Sequence, residues 1–159
     1  MYKLILMVCL ATLITVNCHN KSKPKVIKDV AVSLNIGDKM PDAILEKGTK
    51  TAILASSSNI FNSFSIKKDN IQYICGVYER TIYYIHTMDP NFQSNEGFTI
   101  DTSLKKIMLK TDKKLIYEQG WGYYIPLQKN WNAAFINGDS RTDNEPKKDN
   151  KVNFFFKRK

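Results

Sequence analysis

The sequence predicts an α+β fold: two repeats, each a short helix followed by antiparallel strands, forming one curved antiparallel sheet with the helices packed on one face. Three observations predict it. Helix start and stop signals occur twice, in MPDAILEKG and in DTSLKKIMLK, and each is followed by apolar runs parted by polar breaks. QGWGYYIPLQKNWNAAF holds both tryptophans with Tyr123, Tyr124 and Phe135. A large aromatic side chain removes roughly 150–250 Å² from water, so a small domain must bury most of these. Finally, Cys18 and Cys75 remain once an N-terminal signal is removed; if Cys18 carries lipid, Cys75 has no partner, no disulfide framework exists, and the fold rests on its apolar core.

The N-terminal residues read differently from the rest. Met1-Tyr2-Lys3 carries one positive charge, and Leu4 to Val16 is apolar apart from two threonines. A basic start and an apolar core of about 7–15 residues have the form of a secretory signal. The run falls short of the roughly 20 residues that a membrane-spanning helix needs. Residues 1–17 are therefore read as a signal peptide, because the following HNKSKPK offers a buried N-terminal helix nothing to pack with. Cys18 follows directly. A cysteine at this place resembles the lipobox of bacterial lipoproteins, where it becomes the first mature residue and carries lipid. Thr15-Val16-Asn17 stands where the usual box has Leu, a small residue, then Gly, Ala or Ser. The resemblance implies lipid attachment at Cys18, with residues 18–31 a basic tether and 32–159 a single α+β domain. Ordinary cleavage nearby, with Cys18 left as a free thiol, is the alternative.

In the first half, Gly37-Asp38 breaks an extended stretch. Pro41 suits a first helical turn, where its missing N–H costs little, and Asp42 favours the positive helix end. Met40, Ala43, Ile44 and Lys47 are spaced for one or two turns, which Gly48 ends. Strands are expected at TAILA, FSI, IQYICGVY and TIYYIHTM. The polar break at Lys67-Lys68-Asp69-Asn70 has hairpin length. Glu79-Arg80 lacks the Asn-Gly or Gly-X of a two-residue turn, so a longer loop is expected there. Asp89-Pro90-Asn91 closes the group with turn chemistry.

In the second half, Asp101, Thr102 and Ser103 are candidate N-caps for a helix with Leu104, Ile107 and Met108 on one stripe. KLIYEQ, WGYYIPL, WNAAFIN and VNFFFK follow as strands. GDSRTDNEPKKDN, almost without apolar residues, reads as a mobile surface loop. Strand alternation puts Trp121, Tyr123, Ile125 and Leu127 on one face and Tyr124 on the other. Trp131, Ala133 and Phe135 likewise share a face. Pro126 argues that its strand is an edge or is interrupted. In TIYYIHTM the same rule groups Ile82, Tyr84, His86 and Met88 against Tyr83, Ile85 and Thr87; bulk on both sides marks a central strand. Tyr124 and Tyr83 are the candidate protein contacts.

The net charge is +9. Part of the excess follows the tether start and part closes the chain. It suits either an anionic lipid surface or plain solvation. No nucleic-acid motif is present. His86, with Asp89 three residues on, is the one candidate base with an orienting carboxylate; a lone strand histidine is more often structural. Cys75 in an apolar run is a small buried hydrophobe. No nucleophile elbow, P-loop, metal or cofactor motif occurs, so no catalytic residue, metal site or cofactor is assigned. Tyr73, Tyr84 and Trp121 could line a small-ligand pocket.

Ile36 and Leu45 match Ile100 and Leu109 at a constant offset of 64. With Gly37, Asp38, Ile44 and Gly48 in the first half and Gly97, Ser103, Leu104 and Ile107 in the second, the arrangement over residues 32–157 resembles small bacterial envelope lipoproteins. Their repeats are similar to those of the β-lactamase-inhibitor-protein and outer-membrane-assembly lipoprotein folds. The second half lacks a glycine to match Gly37. The resemblance implies a non-enzymatic protein, exported and lipid-anchored at the outer membrane, whose sheet domain binds another protein. A small-ligand carrier and a hydrolase-type enzyme using His86 are the alternatives.

Overall fold

A computed structural model of the chain describes residues 33–48 and 50–159, and the backbone of residues 27–28. The expected signal peptide, Cys18 and most of the expected tether lie outside the described residues. Strand β1 (Ile27–Lys28) falls within the tether stretch and pairs parallel to β3 at Ile66 and Lys67.

Helix α1 (Asp42–Lys47) follows Pro41, and Gly48 closes it by donating its N–H to the Ile44 carbonyl at 2.8 Å. Six residues cannot hold a helix in water, so packing must stabilise it. Ile44 supplies that, fully buried among Met40, Phe64, Ile66, Cys75 and Ile85. Then come β2 (Thr51–Leu54), β3 (Ile60–Lys68), β4 (Ile71–Tyr78) and β5 (Thr81–Thr87). Helix α2 (Leu104–Thr111) is capped by the Ser103 hydroxyl, which accepts from the Lys106 N–H at 3.3 Å. The free N–H groups of Leu104 and Lys105 donate to the carbonyls of Asn150 and Lys148, each at 2.8 Å, so the first turn is satisfied from outside the helix. The chain continues through β6 (Ile116–Glu118), β7 (Gly122–Pro126), a 3₁₀ turn (Gln128–Asn130), β8 (Asn132–Phe135) and β9 (Phe154–Arg158).

The strands form one sheet in the order β1-β3-β4-β5-β9-β8-β7-β6, with β2 beside β3, and every pair but β1–β3 is antiparallel. The first four-strand run and the last meet where β9 pairs with β5. Both helices pack on the face bearing Phe64, Cys75, Ile85, Phe155, Ala133 and Ile125. The opposite face buries Ile53, Tyr84, Trp121, Ala134, Phe154 and Phe156.

Five expectations are corrected. The pairing slips between Gly76 and Val77, so Val77 faces Ile82 while Gly76 faces Tyr84. This β-bulge inserts Tyr83 and separates Ile82, on the helix face, from Tyr84 and His86 on the other. Trp121 is buried as expected but on the other face from Ile125 and Leu127, because it precedes β7 and Gly122 (φ +133°) breaks the alternation. Glu79-Arg80 is a two-residue turn after all, with both residues left-handed (φ 45° and 65°). The segment before α1 holds it in place: the Arg80 carbonyl accepts from Met40 N–H at 2.7 Å, and Arg80 pairs with Asp42. The 138–150 loop is tied down rather than loosely solvated. Asp143 accepts from the Asp139 and Ser140 N–H groups, Pro146 is buried, and Arg141 reaches over the sheet. The first hairpin is also tighter than expected, since β3 runs through Lys68 and only Asp69-Asn70 turns. Pro126 ends β7 beyond the reach of β6, which pairs only as far as Tyr124, so the missing N–H interrupts nothing.

Candidate functional site

The β3–β5 end of the face opposite the helices carries an aromatic surface. Phe61 sits in β3, Tyr78 ends β4, and the bulge turns Tyr83 toward both. The ring centroids are 6.3 Å apart for Phe61–Tyr78, 5.6 Å for Phe61–Tyr83 and 6.0 Å for Tyr78–Tyr83, the last edge to face. Gly76 makes room for this packing: a Cβ there would lie 3.1 Å from the Tyr84 Cβ, 3.2 Å from Ile53 and 3.3 Å from Phe61. Water still reaches much of the patch. Ile60 is 68% exposed and Tyr78 53%. A cleft of about 570 Å³ runs between Asn59, Ile60, Phe61, Tyr78, Tyr83 and Lys159. The Lys159 ammonium lies 5.1 Å above the Tyr83 ring, and its backbone N–H donates to the Tyr83 carbonyl at 3.1 Å. A cation beside exposed rings suits a partner that offers an apolar group next to a carboxylate.

Tyr83 is thus brought, half-buried, into a partly exposed cluster. Tyr124 is placed otherwise. It is half-buried on the same side of the sheet, with its ring edge-on to Trp121 at 5.6 Å and to Phe156 at 5.5 Å. Arg158 lies over Trp121, Tyr124 and Phe156, donates to the Ala55 carbonyl at 3.2 Å and is ion-paired with Glu118. Burial works against the Arg158 charge, yet Glu118 outweighs it and raises the pKa above its ordinary value. Arg141, from the 138–150 loop, covers the Trp121 and Phe154 rings and donates to the Leu54 carbonyl at 3.3 Å. The two guanidiniums therefore cap the buried aromatic layer.

His86 lies at a shallow cleft of about 290 Å³ with Gln72, Ile74, Thr87, Met88 and Asp89. Burial, and then the Arg141 charge, lower its pKa to about 4, so it is neutral near pH 7. Its Nδ1 has no partner among the described residues. Asp89 does not orient it. Its carboxylate accepts from the Gln72 N–H at 2.8 Å and the Asn91 N–H at 2.9 Å instead, which holds it below the usual carboxylate range. The base–carboxylate pair read from the spacing is not assembled. Cys75 is buried, and burial alone pushes its thiol up to about 12, which leaves little reactive thiolate. Tyr73 packs on the helix face with Phe92, whereas Tyr84 and Trp121 lie on the other, so these three line no common pocket. Among the described residues no three His, Cys, Asp or Glu side chains gather closely enough to hold a metal ion, and no helix is long and apolar enough to cross a membrane.

The sequence missed Phe61, Tyr78 and Lys159 as neighbours of Tyr83, and Arg141 as a cap. Their alliance depends on strand pairing across the bulge and on a loop return. No local pattern signals either.

No family model matches the chain, and no curated protein does. Among solved structures, it is similar to the crystal structure of the uncharacterized protein yfeY from Escherichia coli. The identity is 18% and the TM-score 0.46, over 70% of this chain and 80% of that one.

Proposed function

We propose that the chain is a non-enzymatic cell-envelope lipoprotein whose sheet domain binds another protein through the Phe61–Tyr78–Tyr83 patch. The carrying observation is that trio, with Tyr78 exposed and Phe61 and Tyr83 half-buried, rimmed by Ile60 and Lys159 and open as a cleft. Tyrosine is among the side chains that interfaces favour, because it presents apolar area at low entropic cost. The partner presents an apolar side chain beside a carboxylate, which Lys159 meets. Export through residues 1–17 and a lipid on Cys18 put the domain at the outer membrane; the basic, then apolar, then cysteine order supports this. The order α1 then β2–β5, and α2 then β6–β9, supports two related repeats.

The test is site-specific photocrosslinking in the bacterium that makes the protein. A photoreactive phenylalanine in place of Tyr83 should give a discrete adduct that Lys159→Glu abolishes. The same residue at exposed Asn91 should give none. Equal products at both positions, or none at Tyr83, overturn the reading. Radioactive palmitate incorporated equally by the chain and by Cys18→Ala rejects the anchor separately.

A further inference from the structure

Charge is unevenly spread over the described residues. Segments 101–114 and 147–151 hold eight lysines and three aspartates, whereas the other residues with described side chains hold eleven Lys and Arg and eleven Asp and Glu. Among the residues with described side chains, the whole excess of positive charge therefore belongs to these two short segments. The fold makes them one surface. The Leu104 and Lys105 N–H groups bond to the Asn150 and Lys148 carbonyls, Ser103 bridges to Lys151, and Lys151 pairs with Asp101 at 3.0 Å. From α2 and its exit come Lys105, Lys106, Lys110, Lys113 and Lys114, all exposed. The adjoining turn adds Lys147 and Lys148. Lys110 is engaged with the Glu96 carbonyl and lies 5.3 Å over Phe98. Lys105, Lys106, Lys113, Lys114, Lys147 and Lys148 have no carboxylate partner among the described residues. Among them stands Leu109, 77% exposed, the most exposed large apolar side chain described.

We infer that this face lies on the anionic surface of a lipid bilayer, with Leu109 dipping into the headgroup layer and the lysines around it against lipid phosphates. The surface calls for an anionic partner by charge, and its composition selects the bilayer. Every cation in it is a lysine, a hydrated point charge that meets a diffuse anionic field, with no arginine fork to clasp one phosphate. It offers no ring on which a base could stack, as single-stranded nucleic acid requires. The apolar stripe of α2, Leu104 and Ile107, is buried in the core, so the contact rests on the outer lysines, each worth on the order of 1 kcal/mol near an anionic leaflet, with Leu109 among them. This contact is additional to any N-terminal lipid, and it orients the domain: α2 packs on the helix face of the sheet, whereas the Phe61–Tyr78–Tyr83 patch is on the other. With α2 against the bilayer, the patch points away from it.

Lysine acylation footprinting on the full chain tests this. The protein is reconstituted with vesicles of phosphatidylcholine alone or mixed with phosphatidylglycerol, and modification is followed by mass spectrometry. The expectation is several-fold slower acylation of Lys105, Lys106, Lys113, Lys114, Lys147 and Lys148 on the anionic vesicles only. Lys47 and Lys50 should not change. The protection should vanish at 1 M salt, where the screening length falls to about 3 Å, and weaken in Leu109→Glu. Equal rates on both vesicle types overturn the inference. So does equal protection of Lys47 and Lys50, or protection by a soluble DNA oligonucleotide but not by vesicles.

Discussion

His86 shows how one buried side chain can set the acid sensitivity of a domain. It is 8% exposed, packed between the Tyr84 and Phe154 rings at 5.7 and 5.6 Å, with the Arg141 charge nearby. Folding lowers its pKa from its ordinary value near 6.5 to about 4. Between those values the unfolded chain binds a proton there that the folded chain does not. Stability therefore falls as pH drops from about 6.5 to about 4, and this group adds no further loss below that. A shift of this size corresponds to about 3 kcal/mol. The lowered carboxyls of Asp38, Asp89 and Asp143 act in a lower window, as acid protonates them. Urea midpoints measured from pH 7 to pH 4 should decline for the wild type and stay nearly level for His86→Phe, whose ring replaces imidazole among aromatic neighbours. A wild-type midpoint that is flat over this interval would show that His86 takes up its proton in the fold as readily as in the unfolded chain.

Among the elements, the Glu79-Arg80 turn combines a poor sequence with a demanding geometry. Each residue sits in the left-handed region, which costs a side chain roughly 1–2 kcal/mol. The hairpin persists because the flanking 37–40 segment bonds to it from outside: Gly37 donates to the Ile82 carbonyl at 2.8 Å and Ile82 to the Asp38 carbonyl at 2.9 Å. Replacing the pair by Asn-Gly should raise the denaturant midpoint by about 1 kcal/mol of stability, because those residues adopt the conformation readily. The Arg80–Asp42 pair lost in the exchange is exposed on both sides and offsets little of that. A lower midpoint in the variant would assign the turn's stability to that pair instead. The same contrast explains what the sequence made legible. Helix α2 and its Ser103 cap were readable because periodicity and capping are local. The tight turn at Glu79-Arg80 was not, since its support comes from a segment some forty residues earlier. Nor was the side of the sheet taken by Trp121, which one positive φ at Gly122 decides, or the company of Tyr83, which a bulge decides. The candidate site failed to show for that reason: each member lies in an ordinary strand pattern, and only the register gathers them.

At the scale of the molecule, the two strand runs are joined through β9. Tyr84 through Thr87 of β5 pair with Phe155 through Arg158, and Asn132 through Ala134 of β8 pair with Phe154 through Phe156. Phe155 faces the helices and Phe156 the opposite layer, so this one strand feeds both cores. Phe156 is fully buried against Tyr84 from the first run and Trp121 from the second, at 6.0 and 4.5 Å. Removing its ring should cost about 3–5 kcal/mol, the usual result of emptying a buried aromatic site. How that loss spreads distinguishes one folding unit from two. If the sheet unfolds as a whole, amides of β4 such as Cys75 and of β7 such as Ile125 report the same opening. Hydrogen exchange in Phe156→Ala should then quicken by one common factor in both runs. Acceleration confined to β7–β9, with β3 and β4 exchanging as in the parent chain, would mean that the halves open separately. The aromatic patch on the first run and the lysine face on the second would then be carried by independent parts. A common factor instead makes the sheet a rigid link, which is what an orienting contact at α2 needs in order to aim the patch at a partner.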